Sequence, residues 1–145
     1  CSNTYGNKGC HGGELEYTYH YIKDKGVNSE SSYPYIAKDQ NCKKTTGPFK
    51  MAGYSKAITC TGLYGALRNG PVSVAVDAVL WSLYKDGVYD ECGNEVNHGV
   101  LVVGATSEYW LVKNSWGAQW GNNGYIKVKR GNTCSICEYP YFPEL

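Results

Sequence analysis

The sequence predicts an α+β fold in which one helix precedes a series of short strands. Residues 13–25 carry Leu15, Tyr19 and Ile22 on one stripe at helical spacing, and Gly26 follows as the helix stop. Later runs of β-branched and aromatic residues are bounded by glycine, a pattern typical of strands. A chain of 145 residues is long enough to bury a core.

The remaining elements follow in order along the chain. Residues 27–48 are rich in turn residues and predict a loop. Alternating residues at 49–54 predict the first strand, and Thr61 is the expected cap of a short helix that ends near Asn69 and Gly70. Further strands are predicted over Pro71 to Val76, Val96 to Val103, Tyr109 to Lys113 and Tyr125 to Lys129. Together these strands predict an antiparallel sheet or a partial barrel.

Composition narrows the class of partner and the compartment. A net charge of +1, with 19% charged residues and no acidic or basic block, argues against nucleic acid or a membrane surface as the main partner. No apolar run reaches the ~18 residues of a membrane-spanning helix. Seven cysteines favour a secreted or lysosomal protein with disulfides over zinc sites or free thiols, since only Cys134 and Cys137 have Cys-x-x-Cys spacing. We expect neither a metal nor a cofactor.

Two polar residues stand out against their surroundings. His98 lies in the run Val-Asn-His-Gly-Val at 96–100, and Asn114 lies in Lys-Asn-Ser-Trp-Gly at 113–117. An imidazole can accept the proton of a thiol nucleophile, and a carboxamide oxygen can orient the imidazole. Taken singly, a histidine or asparagine beside a strand more often satisfies structural hydrogen bonds. The residues alone therefore leave both interpretations open.

The whole chain resembles the papain-like cysteine proteases. The resemblance rests on an ordered set of short motifs, each of them weak alone. They are Gly-Cys-His-Gly-Gly at 9–13, Tyr-Pro-Tyr at 33–35, Gly-Pro-Val-Ser-Val at 70–74, Gly-Val-Tyr at 87–89, Cys-Gly-Asn at 92–94, the two runs just described, Trp-Gly at 120–121 and Asn-Gly-Tyr at 123–125. This resemblance implies a papain-like two-lobe fold: residues 1–54 as the remainder of the left, mostly helical lobe and 55–145 as the right, β-barrel lobe, with the final residues crossing back.

The same resemblance implies a cysteine endopeptidase with a Cys-His-Asn triad. His98 would be the acid/base, Asn114 the residue that orients it, and Trp116 the shield over their hydrogen bond. The nucleophile is expected about 30–50 residues before Cys1, because its signature precedes the histidine by roughly 130–150 residues. It would come from an upstream segment or a separate chain, and this chain alone would be inactive. The alternative is a catalytically silent relative that acts as a binding or structural module.

Substrate-binding positions also follow from the resemblance. They are Gly12, Gly13, Glu14, Leu15, Ala75, Val96, Asn97, Gly99 and Tyr139. The Gly-Gly pair would let a peptide backbone approach like an added strand. Leu15, Ala75 and Val96 would give the pocket for the second residue before the scissile bond an apolar lining, and Tyr139 would shorten it. Branched aliphatic side chains are therefore expected to bind there better than bulky aromatic ones.

For the cysteines, the resemblance implies the disulfides Cys1–Cys42 and Cys92–Cys134. It places the partner of Cys10 in the upstream segment, and Cys60 and Cys137 are left to bridge to each other. Cys10 is a poor candidate for the nucleophile, because nothing near it in the sequence would lower its pKa. The expected partners are a peptide or protein substrate, the upstream segment linked through Cys10, and a propeptide or cystatin-like inhibitor.

Overall fold

The computed structural model describes residues 1–145, which form two compact units. The first unit contains residues 1–55 and 143–145, and the second contains residues 56–142. None of the helices combines the length and the apolar character needed to cross a membrane.

The first unit contains helix α1, Leu15–Lys25, and the short 3-10 turns Asn3–Tyr5 and Gly9–His11. Helix α1 begins two residues later than the predicted start at residue 13, because Glu14 is still in an extended conformation. Gly26 ends the helix with a φ of 73°, and its amide donates to the Ile22 carbonyl at 2.8 Å. Glycine adopts this φ without the steric cost that other residues incur.

The predicted strand at 49–54 is wrong in position. Strand β1 is Gly53–Lys56, and Phe49 forms only an isolated backbone bridge with Val27. The side chain of Phe49 is 58% exposed, so the alternation that predicted a strand does not reflect burial on one face. Residues 27–48 form no helix or longer strand, in agreement with the predicted loop.

In the second unit, helix α2 spans Cys60–Ala66. The predicted cap, Thr61, is wrong, because Thr61 lies inside the first turn and Thr59 occupies the cap position. The Thr59 hydroxyl oxygen accepts a hydrogen bond from the Gly62 amide at 3.1 Å. The helix packs Leu63 and Ala66 into the core of the unit.

The other strands are β2 (Val72–Val76), β3 (Val88–Tyr89), β4 (His98–Ala105), β5 (Tyr109–Lys113), β6 (Tyr125–Lys129) and β7 (Tyr141–Glu144). In the sheet of the second unit the order is β7-β2-β4-β5-β6-β3, with β7 represented by Tyr141 and Phe142. Every pairing among them is antiparallel except the parallel pairing of β3 with β6. The predictions match β5 and β6, while β2 and β4 begin one and two residues later than predicted. The short strands β3 and β7 were not predicted.

The core lies on one face of this sheet. Val72, Val74 and Val76 of β2 are fully buried, whereas Ser73 and Ala75 between them are half-buried, as expected from the two-residue period of a strand. The largest fully buried side chains are those of Trp81 and Trp110. This alternation assigns Ala75 to the face opposite the core.

Candidate active site

His98 is the first residue of β4, and the sheet register fixes its position. Val76 lies opposite His98, and Ala75 lies opposite Gly99. The Asn97 amide donates to the Val76 carbonyl at 2.9 Å, which extends the ladder by one residue. The half-buried imidazole therefore sits at the end of the β2–β4 pairing.

Asn114 directly follows the last residue of β5, and its side chain is buried. The Asn114 Oδ1 atom lies 2.7 Å from His98 Nε2 and accepts a hydrogen bond from the Ser115 amide at 2.8 Å. Because a backbone N–H donates to this atom, the atom is the amide oxygen, so Nε2 must carry a proton to form the second contact. Nδ1 is then the nitrogen of the neutral ring that can accept a proton.

Two tryptophans lie beside the imidazole, and a third packs against both of them. The Trp116 ring lies 5.0 Å from the imidazole between centroids, and the Trp81 ring lies 6.4 Å away with its plane nearly perpendicular. Trp120 contacts both indoles, at 5.1 Å from Trp116 and 6.2 Å from Trp81. Apolar rings around a hydrogen bond exclude competing water and strengthen it.

Two loops next to the histidine are joined by hydrogen bonds of the buried Asp77 and the exposed Asn97. The carboxylate of Asp77 accepts hydrogen bonds from the amides of Val79 and Glu95, each at 3.1 Å. The Asn97 side chain accepts from the Ala78 amide at 3.0 Å and donates to the Glu95 carbonyl at 2.9 Å. The side chain of Asn97, a predicted substrate contact, is thus occupied by loop hydrogen bonds.

Neither Asp77 nor Trp81 was identified from the sequence. Asp77 is one of 13 acidic residues and follows β2 without a motif around it. Trp81 lies in a three-residue 3-10 turn, where neither helical nor strand periodicity marks it as buried. No feature of the sequence distinguishes Asp77 and Trp81 from surface residues of the same types.

The other predicted substrate-binding residues fall into two groups. Ala75, Val96, Gly99 and Tyr139 belong to the second unit, where Val96 and Tyr139 are exposed and Ala75 pairs with Gly99. Gly12, Gly13, Glu14 and Leu15 belong to the first unit and lead into α1.

The Gly-Gly pair has one open and one closed position. A Cβ atom on Gly12 would meet no atom within 4 Å, whereas one on Gly13 would overlap the side chain of Asn7. Asn7 Oδ1 accepts a hydrogen bond from the Glu14 amide at 3.0 Å. Gly13 is therefore required by local packing, and Gly12 leaves its surface uncovered.

The structure contains the disulfides Cys1–Cys42, Cys60–Cys137 and Cys92–Cys134. Cys10 is a free, exposed thiol, and its amide donates to Asp39 Oδ1 at 2.8 Å. Desolvation and then the hydrogen bond to Asp39 raise the pKa of the Cys10 thiol. A raised pKa opposes formation of the thiolate, which is the nucleophilic form.

Comparison with known proteins decides the family. The profile described as "Papain family cysteine protease" matches residues 1–144. The chain belongs to this family. The papain-like α+β fold predicted from the motifs is likewise confirmed by similarity to solved papain-like proteases.

Individual relatives agree with this assignment. Cathepsin L 2 of Paramecium tetraurelia is 40% identical over 100% of this chain and 47% of its own length. Cathepsin S of Bos taurus is 44% identical over 100% of this chain and 49% of its own length. The solved Carica candamarcensis cysteine protease CMS1MS2, in complex with E-64, matches with a TM-score of 0.88 and 31% identity over 95% of this chain and 71% of its own. The chain spans about half the length of the curated relatives it matches.

Proposed function

We propose that this chain supplies the histidine and the asparagine of a papain-type cysteine endopeptidase. The observation that carries the proposal is the 2.7 Å contact between His98 Nε2 and Asn114 Oδ1, with the Trp116 ring beside it. A carboxamide acceptor fixes the ring orientation and tautomer without adding a charge, which is its role in a Cys-His-Asn triad.

The nucleophilic cysteine of the proposed enzyme lies in an upstream segment or a separate chain. The free, exposed thiol of Cys10 supports a disulfide to that segment, since the other six cysteines are already paired. Residues 1–54 would complete the left lobe, and residues 55–145 would form the right lobe. Cys10 itself is not the proposed nucleophile, because its pKa is raised.

Catalysis would begin with transfer of the thiol proton to His98 Nδ1. In the resulting imidazolium, the Nε2–H group still donates its hydrogen bond to Asn114 Oδ1. The thiolate attacks the carbonyl carbon of the scissile peptide bond. The imidazolium then gives its Nδ1 proton to the departing amine. Water then attacks the carbonyl carbon of the thioester that remains while the imidazole accepts a proton from that water, and the broken C–S bond releases the acid product and the cysteine thiolate. Backbone and side-chain donors of the upstream segment would stabilise the oxyanion.

The proposed substrates are peptides and proteins. Their contacts in the first unit are Gly12, Gly13, Glu14 and Leu15, and their contacts in the second unit are Ala75, Val96, Asn97, Gly99 and Tyr139. The small residues Gly12 and Gly99 are exposed, which supports main-chain hydrogen bonding to an extended peptide. For Asn97, only the backbone would contact substrate, because its side chain is engaged within the loop.

A lysosomal or secreted location is proposed for the enzyme. Three disulfides support an oxidising compartment, where such bonds persist. We further propose that E-64, which is bound by the Carica protease in its solved structure, binds the assembled site here. A propeptide or a cystatin-like protein is the proposed natural inhibitor.

The test uses the intact enzyme with its upstream segment, assayed on a panel of unstructured peptides with and without E-64. We expect turnover that E-64 abolishes, and loss of this turnover in His98→Ala. The matched control is His20→Ala, since His20 is exposed and lies on α1 in the other unit. A correctly folded wild-type enzyme without turnover would overturn the proposal and favour a silent binding module, and so would turnover that survives His98→Ala.

A further inference from the structure

An exposed lysine stacks on an exposed tyrosine in the second unit. The Lys56 ammonium nitrogen lies 4.6 Å from the centroid of the Tyr139 ring and 5.8 Å from that of Tyr141. Tyr139 is 46% exposed, whereas Tyr141 is buried. An ammonium over a tyrosine ring is attracted by the negative face of the ring, so Tyr139 gives the lysine a preferred position rather than a free one.

The backbone on both sides of this pair is fixed. The Ala57 amide donates to the Pro140 carbonyl at 3.0 Å, so each partner lies directly beside a hydrogen-bonded residue. The disulfide Cys60–Cys137 joins the same two segments a few residues further on. The separation of the lysine and the tyrosine therefore depends on the backbone as well as on the attraction between their side chains.

Tyr139 lies just before β7, next to β2. Ser73 of β2 pairs with Tyr141 of β7, and Tyr139 precedes that pair by two residues. Further along β2, Ala75 pairs with Gly99 and Val76 pairs with His98, the candidate catalytic histidine. Tyr139 is also one of the positions proposed above to contact substrate, and its side chain is exposed.

The positive charge of Lys56 is not neutralised by an ion pair. No carboxylate lies within salt-bridge distance of its ammonium. Glu138, the acidic residue next to Tyr139 in sequence, accepts a hydrogen bond from Asn132 Nδ2 at 2.7 Å. A peptide side chain that reached Tyr139 would therefore meet the Lys56 ammonium, which has no ion-pair partner.

We propose that Lys56 is a specificity-determining residue that favours an acidic side chain, and disfavours a basic one, at the second residue before the scissile bond. This inference rests on the proposed peptidase function and refines its substrate class. Aliphatic side chains are still expected to bind best at this position, because the residues proposed to line it include the apolar Leu15, Ala75 and Val96. Lys56 changes only the order of preference among polar side chains. For charges in contact with solvent, the discrimination between glutamate and its neutral isostere glutamine is about threefold in kcat/KM.

The experiment compares two peptides that differ only by Glu or Gln at that residue, hydrolysed by the intact enzyme. The quantity measured is the ratio of the two kcat/KM values, from which any general loss of activity cancels. We expect the Glu/Gln ratio to fall by about threefold in Lys56→Met and to fall further in Lys56→Glu. The matched control is Lys129→Met, which removes the same charge from β6, three strands away from β2 in the sheet.

A measurement on the wild type alone provides a second, independent readout. Raising the ionic strength from 0.01 to 1 M (about 30 to 3 Å in Debye length) should lower the Glu/Gln ratio of the wild type and leave that of Lys56→Met unchanged. A ratio that is the same in the wild type and in Lys56→Met overturns this inference while leaving the peptidase function intact. Failure of the wild type to cleave any peptide of the panel overturns the proposed function, and the inference with it.

Discussion

Replacement of Asn114 by alanine tests the chemistry of the site most directly. In the wild type, Asn114 Oδ1 is 2.7 Å from His98 Nε2 and 2.8 Å from the Ser115 amide nitrogen. Asn114→Ala removes both acceptor interactions and leaves the Trp116 ring in place. The imidazole then loses the group that fixes its tautomer and its orientation.

The expected loss can be worked out from the charge state of the ring. In the proposed reaction the imidazole becomes an imidazolium, and a hydrogen bond to a charged group contributes about 1.5–3 kcal/mol. At about 1.4 kcal/mol for each factor of ten, Asn114→Ala should lower kcat/KM by roughly 10- to 150-fold. Asn114→Asp should lower kcat/KM by less than Asn114→Ala does. The accepting oxygen is retained, and the Nδ2 atom that is replaced has no hydrogen-bond partner.

The assay measures kcat/KM of the intact enzyme together with the midpoint of denaturant unfolding for each variant. Asn122→Ala is the matched control, since it removes an asparagine hydrogen bond of 3.0 Å to Asp86 at the surface and should change kcat/KM by less than about twofold. The orienting role proposed for Asn114 is refuted if Asn114→Ala retains kcat/KM within about threefold of the wild type. It is also refuted if Asn114→Asp is as impaired as Asn114→Ala at equal stability.

Three further predictions concern stability, titration and assembly. Trp81→Ala should lower the free energy of unfolding by about 3–5 kcal/mol, because a fully buried indole is removed. Leu83→Ala in the same turn is the control: Leu83 is 84% exposed, so its replacement should change the free energy of unfolding by less than about 0.5 kcal/mol. Denaturant unfolding measures both values. The pKa of Asp39 is lowered chiefly by the hydrogen bond from the Cys10 amide. The stabilising contribution of the Asp39 carboxylate is therefore present above the ordinary pKa of 3.8 and is lost as the pH falls through the lowered pKa. The NMR resonance of the Cys10 amide should titrate with a midpoint below 3.8, and a midpoint above 3.8 would contradict this assignment. The purified 145-residue chain should show no peptidase turnover that a thiol alkylator can block, and such turnover would disprove the need for an upstream nucleophile.

Sequence patterns predicted the central strands better than the peripheral elements. Strands β5 and β6 match their predicted bounds because buried and half-buried residues alternate through each of them. Strand β3 has only two residues, and β7 contains Pro143, which cannot donate to a ladder, so neither gives a periodic signal. The cap of α2 was misassigned because Thr59 and Thr61 are chemically equivalent, and only the backbone conformation distinguishes them.

The site residues differ in the same way. His98 and Asn114 were identified through short motifs that can be read in the sequence. Lys56 and Tyr139 are 83 positions apart in sequence, and their stacking depends on how the segments before β7 and within β1 are aligned. Such a contact arises from tertiary register, which no local pattern encodes.

The geometry of the pair at the site follows from antiparallel topology. Strand β4 begins at His98 and β5 ends one residue before Asn114, and an antiparallel pairing places the start of one strand beside the end of its neighbour. The β-bulge between Val102 and Gly104 lies beyond the Leu101–Lys113 pair, so the ladder next to the site remains regular. A slip of one residue would turn the imidazole to the opposite face of the sheet. The 2.7 Å contact is therefore specified by the strand register, and substitutions that alter the register should reduce stability and activity together, whereas Asn114→Ala should reduce activity far more than stability.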